Sequence, residues 1–130
     1  MKRLIAVATC LGLVWAFPAF GAGLKVAEGT ITTKVVDRAP VDHLQTSPAS
    51  TGTLYCYTRI AGASGDTTVT QVWYREGQEM ARIVLPVRSA DWRTWSSKRI
   101  LPQWTGQWKV EILDSEGHIL QTIPFSVVKG

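Results

Sequence analysis

Asp91 to Arg99 carry the densest chemistry in this 130-residue sequence. Trp92 and Trp95 flank Arg93 and Thr94, and Ser96, Ser97, Lys98 and Arg99 follow. Indole faces stack on sugar rings or proline-rich chains, while guanidinium and ammonium groups hold carboxylates or phosphates. Trp73 and Trp104 add indoles from neighbouring segments. Trp73, Trp92, Arg93, Trp95, Ser97, Lys98, Arg99 and Trp104 are therefore the candidate contact surface. Such a surface is shallow and suits an anionic polymer or a protein partner. The competing reading is packing, with Trp92 and Trp95 at a corner and Arg93 and Lys98 as a solvated face, because Trp bodies mostly serve burial.

Catalytic groups are sparse. The two histidines, His43 and His118, lie far apart, and neither has a second His at metal-ligand spacing. No His/Cys/Asp/Glu cluster fits a zinc or iron site, so neither metal nor cofactor is expected. A serine triad can be composed from Ser97, His118 and Asp91. No nucleophile elbow, phosphate loop or Ser-x-x-Lys motif accompanies it. Glu76 and Glu79 flank a turn and read as solvated charges. No Gly-rich loop precedes a helix, which argues against nucleotide binding.

The elements that must position these residues read as strands. Runs of Val, Ile, Thr, Tyr and Trp alternate with Gly, Pro, Ser and Asp clusters. Strands are predicted near Ile31–Arg38, Thr53–Ile60, Thr67–Arg75, Glu79–Val87, Trp92–Ile100, Gln107–Leu113 and Ile119–Val128. No stretch keeps a helical apolar spacing. The last hairpin is the clearest element. Trp108, Val110 and Ile112 point one way, Asp114–Gly117 turns the chain, and Ile123, Phe125 and Val127 return on one face. Glu76-Gly77 suggests a second hairpin. About seven short strands predict an all-β, immunoglobulin-like antiparallel β-sandwich, with an incomplete barrel as the alternative. Trp92 and Trp95 have opposite parity and cannot both face the core of a regular strand. The direction of Trp73 is ambiguous, and Trp104 lies in a Pro-Gly-bounded loop.

The chain starts with Met1-Lys2-Arg3, an apolar run from Leu4 to Phe20, and a small-residue exit. These are the parts of a cleavable secretory signal, with cleavage after Gly21 preferred over Ala22. The run is too short to span a bilayer and Pro18 interrupts it. A lipoprotein reading at Cys10 is disfavoured by Thr9 and by the apolar residues it would leave on the mature chain. The division is thus signal peptide 1–21, flexible lead-in 22–30 and β-sandwich domain 31–130. The location is periplasmic or secreted, and no stable membrane insertion is expected after cleavage. Losing Lys2 and Arg3 lowers the formal charge from +4 to +2, and no basic block argues for nucleic acid. Cys10 leaves too, so Cys56 is the one mature cysteine and is read as a buried small apolar residue.

Four segments resemble a known family. They are Leu54-Tyr55-Cys56-Tyr57-Thr58, Val72-Trp73-Tyr74-Arg75-Glu76-Gly77, Trp92-Arg93-Thr94-Trp95-Ser96-Ser97-Lys98-Arg99, and Gly106-Gln107-Trp108-Lys109-Val110 with Asp114, Gly117, Leu120 and Phe125. Their order resembles the bacterial domain-of-unknown-function 2914 (DUF2914) family from about Thr32 to Val128. The run from Trp92 to Lys98 is its most specific piece. The resemblance implies a small β domain in the envelope or outside the cell, with no known reaction, substrate or cofactor. It also implies that a His often stands two residues before the position of Trp73. Gln71 stands there in this chain, which undercuts a catalytic or metal role at that position. The expected function is a non-catalytic module that binds an envelope partner, protein or glycan. A structural or assembly accessory is the alternative, and a hydrolase of unknown type is a distant third.

Overall fold

Strict apolar/polar alternation demands sheets with one greasy face, and two such faces must meet. The computed structural model describes residues 23–130. The expected signal peptide lies outside the described residues. The strands are β1 (Lys25–Thr32), β2 (Val35–Val36), β3 (Ala39–Pro40), β4 (Thr46–Pro48), β5 (Thr53–Ala61), β6 (Thr67–Arg75), β7 (Gln78–Val87), β8 (Asp91–Arg99), β9 (Gly106–Leu113) and β10 (Ile119–Val128). Among the described residues, one 3-10 turn spans Ala49–Thr51.

One sheet has the order β1-β5-β8, the other β4-β10-β9-β6-β7, and β2-β3 form a small separate hairpin. All pairings are antiparallel except β4 with β10. The chain crosses between sheets from β5 to β6, from β7 to β8 and from β8 to β9. This is the connectivity of an immunoglobulin-like sandwich. Among the described residues, no helix is long and apolar enough to cross a membrane.

Ile31, Leu54, Cys56 and Ile60 from the smaller sheet meet Val69, Trp73, Val110, Ile112 and Phe125 from the larger one, all buried. Trp73 meets Phe125 edge-on, with ring centroids 6.1 Å apart and an interplanar angle of 88°. Such edge-to-face contacts suit the ring quadrupoles and add to the area buried. Burial pushes the Cys56 thiol well above its ordinary range. A polar cluster crosses this core. Gln71 Nε2 donates to Thr58 Oγ1 (3.3 Å), Thr58 Oγ1 donates to the Thr94 carbonyl (2.7 Å), and Trp73 Nε1 donates to Ser96 Oγ (3.0 Å). Ser96 Oγ in turn donates to Gln71 Oε1.

The start of the domain corrects the sequence reading. The lead-in 22–30 and a first strand at Ile31–Arg38 were expected, but β1 runs from Lys25 to Thr32. Gly29, which reads as a sign of flexibility, is a close-approach residue. A Cβ there would stand 2.9 Å from Ile123 Cδ1. Glycine lets β1 pass close to β10, as strand-interior glycines often do. Residues 33–42 leave the sheet as a tight hairpin instead of continuing β1. Asp37 and Arg38 occupy its two-residue turn with φ of 52° and 62°. Positive φ at both central positions matches the twist of the arms, but it strains a non-glycine residue.

Asp42 fastens the base of this hairpin. Its carboxylate accepts Thr32 Oγ1 at 2.6 Å, the Thr33 amide at 2.8 Å and Thr33 Oγ1 at 2.7 Å. Desolvation raises its pKa, but the Thr32 and Thr33 hydrogen bonds outweigh that and hold it below the ordinary carboxylate value. A depressed carboxyl stabilises the fold above its unfolded pKa of about 3.9, and that contribution is lost as pH falls through the lower folded value. Asp42→Asn is expected to cost about 1–2 kcal/mol at neutral pH. In strong acid the gap to wild type should close, because both side chains are then neutral. Urea unfolding at neutral and strongly acidic pH checks both statements.

The sheet edges are treated unequally. The amide of Ser126 bonds the Gln45 carbonyl, so even-numbered residues of β10 direct their backbone away from β9. Pro124 therefore lacks a donor on the side that β4 leaves unpaired. The same parity, carried through β9 and β6, puts Pro86 on the open side of β7. Proline at such positions protects an edge without breaking a ladder. In β1 the register shifts between Val26 and Glu28, and Ile31 is bridged to Leu44. β8 pairs with β5 in unbroken register over all nine residues and has neither a proline nor a bulge.

Candidate functional site

Parity along β8 sorts the predicted surface into two rows. Thr94 and Ser96 are buried and face the sandwich, so Trp92 and Lys98 share the inward row. Asp91, Arg93, Trp95, Ser97 and Arg99 face outward. Trp92 is half-buried and packs against the core. Lys98 sits at the sandwich rim, with its ammonium 4.9 Å above the Trp104 ring. Trp104 packs in turn on Trp108, and its carbonyl accepts Trp108 Nε1 at 2.9 Å. Trp73 is fully buried. The structure therefore keeps Arg93, Trp95, Ser97 and Arg99 together and separates them from the other four. Trp73 and Trp92 serve the core, and Lys98 lies over Trp104, which itself packs against the core.

The outward row meets residues that sequence inspection did not select. Register across β5 and β8 sets Tyr57 opposite Trp95, Tyr55 opposite Ser97 and Arg59 opposite Arg93. Tyr57 and Trp95 stack with centroids 6.1 Å apart and planes inclined by 21°. Arg59 forks onto Asp91 with bonds of 2.8 and 2.7 Å. That hydrogen-bonded pairing holds the Asp91 carboxyl below its ordinary value. Arg93 donates to the Arg38 carbonyl at 3.3 Å, which brings the strained β2-β3 turn over this face. Burial raises the pKa of the Tyr57 phenol, the charge of Arg93 opposes the rise, and Glu28 adds to it. Arg38, Arg59 and Arg93 thus gather around one stacked aromatic pair. The alternation of Tyr55, Tyr57 and Arg59 is visible in the sequence. What joins it to β8 is a register that no local pattern encodes.

The residues considered for catalysis do not converge. Ser97 and Asp91 lie on the outer face of the smaller sheet, while His118 belongs to the β9-β10 turn of the other. His118 Nδ1 lies 3.2 Å from Asp114 Oδ2, and Asp114 Oδ1 accepts the amides of Glu116 and His118 at 2.9 Å each. This is a turn-stabilising set. An open groove of about 720 Å³ runs beside it, lined by Asp66, Asp114, Glu116 and His118 among others. His43 borders a second open groove, of about 450 Å³, with Gln45, Gln107 and Gln121. Among the described residues, no group of three His, Cys, Asp or Glu side chains is placed to hold a metal ion. Glu76, expected to be a solvated turn charge, accepts the Gln107 amide at 2.7 Å and ties the β6-β7 turn to β9.

No curated protein matches the chain. Residues 66–127 match the sequence profile of a family described as a protein of unknown function, DUF2914. The match spans β6 to β10, including the whole of β8. It starts later than the Thr32 suggested by resemblance and leaves out Arg38, Tyr55, Tyr57 and Arg59. From Asp66 to Val127, over the strands that carry Arg93, Trp95, Ser97 and Arg99, the chain is similar to the DUF2914 family.

Proposed function

We propose that this domain is a non-catalytic binding module that works in the periplasm or outside the cell. It holds an anionic envelope partner on the outer face of β1-β5-β8. The supporting observation is the stacked Tyr57–Trp95 pair with Arg38, Arg59 and Arg93 around it. Asp91 is engaged by Arg59, whereas among the described residues neither Arg93 nor Arg99 is within ion-pair distance of a carboxylate. The Arg93 guanidinium therefore remains for a carboxylate or phosphate, beside an indole that offers a face to a sugar ring. The apolar start of the chain supports export, and carboxylate-bearing glycans are among the polymers met there.

Tryptophan fluorescence titrated with soluble peptidoglycan fragments tests this reading. Binding should shift the emission of half-buried Trp95. Trp95→Ala and Arg93→Ala should each weaken affinity about tenfold, the usual loss at a central contact. Absence of any shift, with fragment retention unaltered in both variants, would retire this face as the binding surface.

A further inference from the structure

We propose that β8 is a dimerisation edge, and that its occupant is the β8 strand of a second copy of this chain, running antiparallel. The argument begins with what the other edges have and β8 lacks. Pro86 and Pro124 block β7 and β10, and a bulge and the Leu44 bridge interrupt β1. The backbone direction in β8 follows from two bonds at its ends. The Ile100 amide donates to the Gly52 carbonyl and the Gly62 amide to the Ala90 carbonyl, so even positions face β5. The amides and carbonyls of Asp91, Arg93, Trp95, Ser97 and Arg99 consequently point away from the sheet. Unpaired groups in a regular row are a template for a further strand.

The strand is complementary to itself in one register. A two-fold axis at Trp95 sets Asp91 opposite Arg99 of the second copy, Arg93 opposite Ser97, and Trp95 opposite Trp95. All five are odd positions, so each pair exchanges two backbone hydrogen bonds, as antiparallel pairing requires. On the inner row Trp92 faces Lys98 and Thr94 faces Ser96. Opposite charges and hydroxyl pairs directly across are favourable. Arg59 leaves lone pairs on Asp91 to accept a second guanidinium. Sliding the strands by two residues one way sets Arg93 against Arg99. Sliding them the other way sets Asp91 against Ser97 and pushes Arg99 beyond the strand end. A slip of one residue mixes inner and outer faces. The two-fold contact also closes on itself, as a dimer must. The product is a continuous sheet, β1-β5-β8-β8-β5-β1. This inference does not depend on the ligand proposed above, because the contact forms without one.

Light scattering and sedimentation of the purified protein, at micromolar concentrations and without ligand, test the proposal. The expected mass is that of two chains. Ser97→Pro removes one outward amide and leaves the β5 ladder whole, as Pro86 and Pro124 do on their own edges. It should yield a monomer with an unchanged far-ultraviolet circular dichroism spectrum. Arg99→Glu sets acid against Asp91 twice in the dimer and should weaken association roughly tenfold or more. It also settles the matter if the proline variant fails to fold. A wild-type monomer, or a dimer that keeps its strength in the folded variants, overturns the proposal.

Discussion

Trp73→Ala is expected to destabilise the domain by about 3–5 kcal/mol, the range for deleting a large buried aromatic. Domains of this size have roughly 5–15 kcal/mol in total, so the variant should sit at or near the edge of folding. Two losses combine. The indole is fully buried against Phe125, and its removal leaves a cavity between the sheets. Its Nε1 also donates to Ser96 Oγ, which would be left without that donor inside the core. Trp73→Phe separates the two losses. It removes the donor but only part of the apolar volume, so a smaller loss of about 2–3 kcal/mol is expected. Urea unfolding followed by circular dichroism gives both values. A small loss for Trp73→Ala would mean that the sandwich collapses around the missing ring.

Ser96→Ala carries the second large expectation, about 2–3 kcal/mol for a deletion of one oxygen atom. That oxygen accepts from Trp73 and donates to Gln71, and both partners are buried. Removing it strands a donor and an acceptor where water does not reach. Adding Trp73→Phe and Gln71→Leu should then cost less than the separate effects summed, because groups without partners are no longer present. A double-mutant cycle between Ser96 and Gln71 is expected to return a coupling of about 1 kcal/mol or more. Strict additivity would show that these side chains act independently. The cluster also accounts for Gln71 itself. Its amide lies within the core and serves as the bridge from β6 to Thr58 of β5 and Ser96 of β8.

Six of the seven predicted strands agree with the structure to within about a residue. Each of them contains alternating residues bounded by Gly, Pro or Asp, so local sequence determines them. β1 was missed because it has little alternation and contains Gly29. It is a strand because β5 offers it a partner, and Gly29 is needed for the passage beside Ile123. The sequence reading carries the first strand on to Arg38 because Val35 and Val36 favour one. The Asp42 carboxylate and the turn at Asp37-Arg38 override that preference.

The candidate surface shows the same division. Strand parity alone separates Trp92 from Trp95. It could not attach Tyr57 and Arg59 to Trp95, since that depends on which strands become neighbours and at what offset. Nor could it remove Trp73, whose inward direction depends on which face of β6 the smaller sheet covers. Lys98 illustrates a third limit. Its charge suggests solvent, but the side chain is half-buried and its ammonium rests on Trp104.

Antibody domains, which share this sandwich architecture, clamp their two layers with a cystine next to a buried tryptophan. Here Cys56 sits in the interior as a free thiol while Trp73 fills the centre. The layers are joined by apolar packing and polar bridging, with no sulfur–sulfur clamp among the described residues. The redox potential of the surroundings therefore drops out of what keeps this domain together. A chain matured in a reducing cytosol and one matured in an oxidising space would hold together equally well.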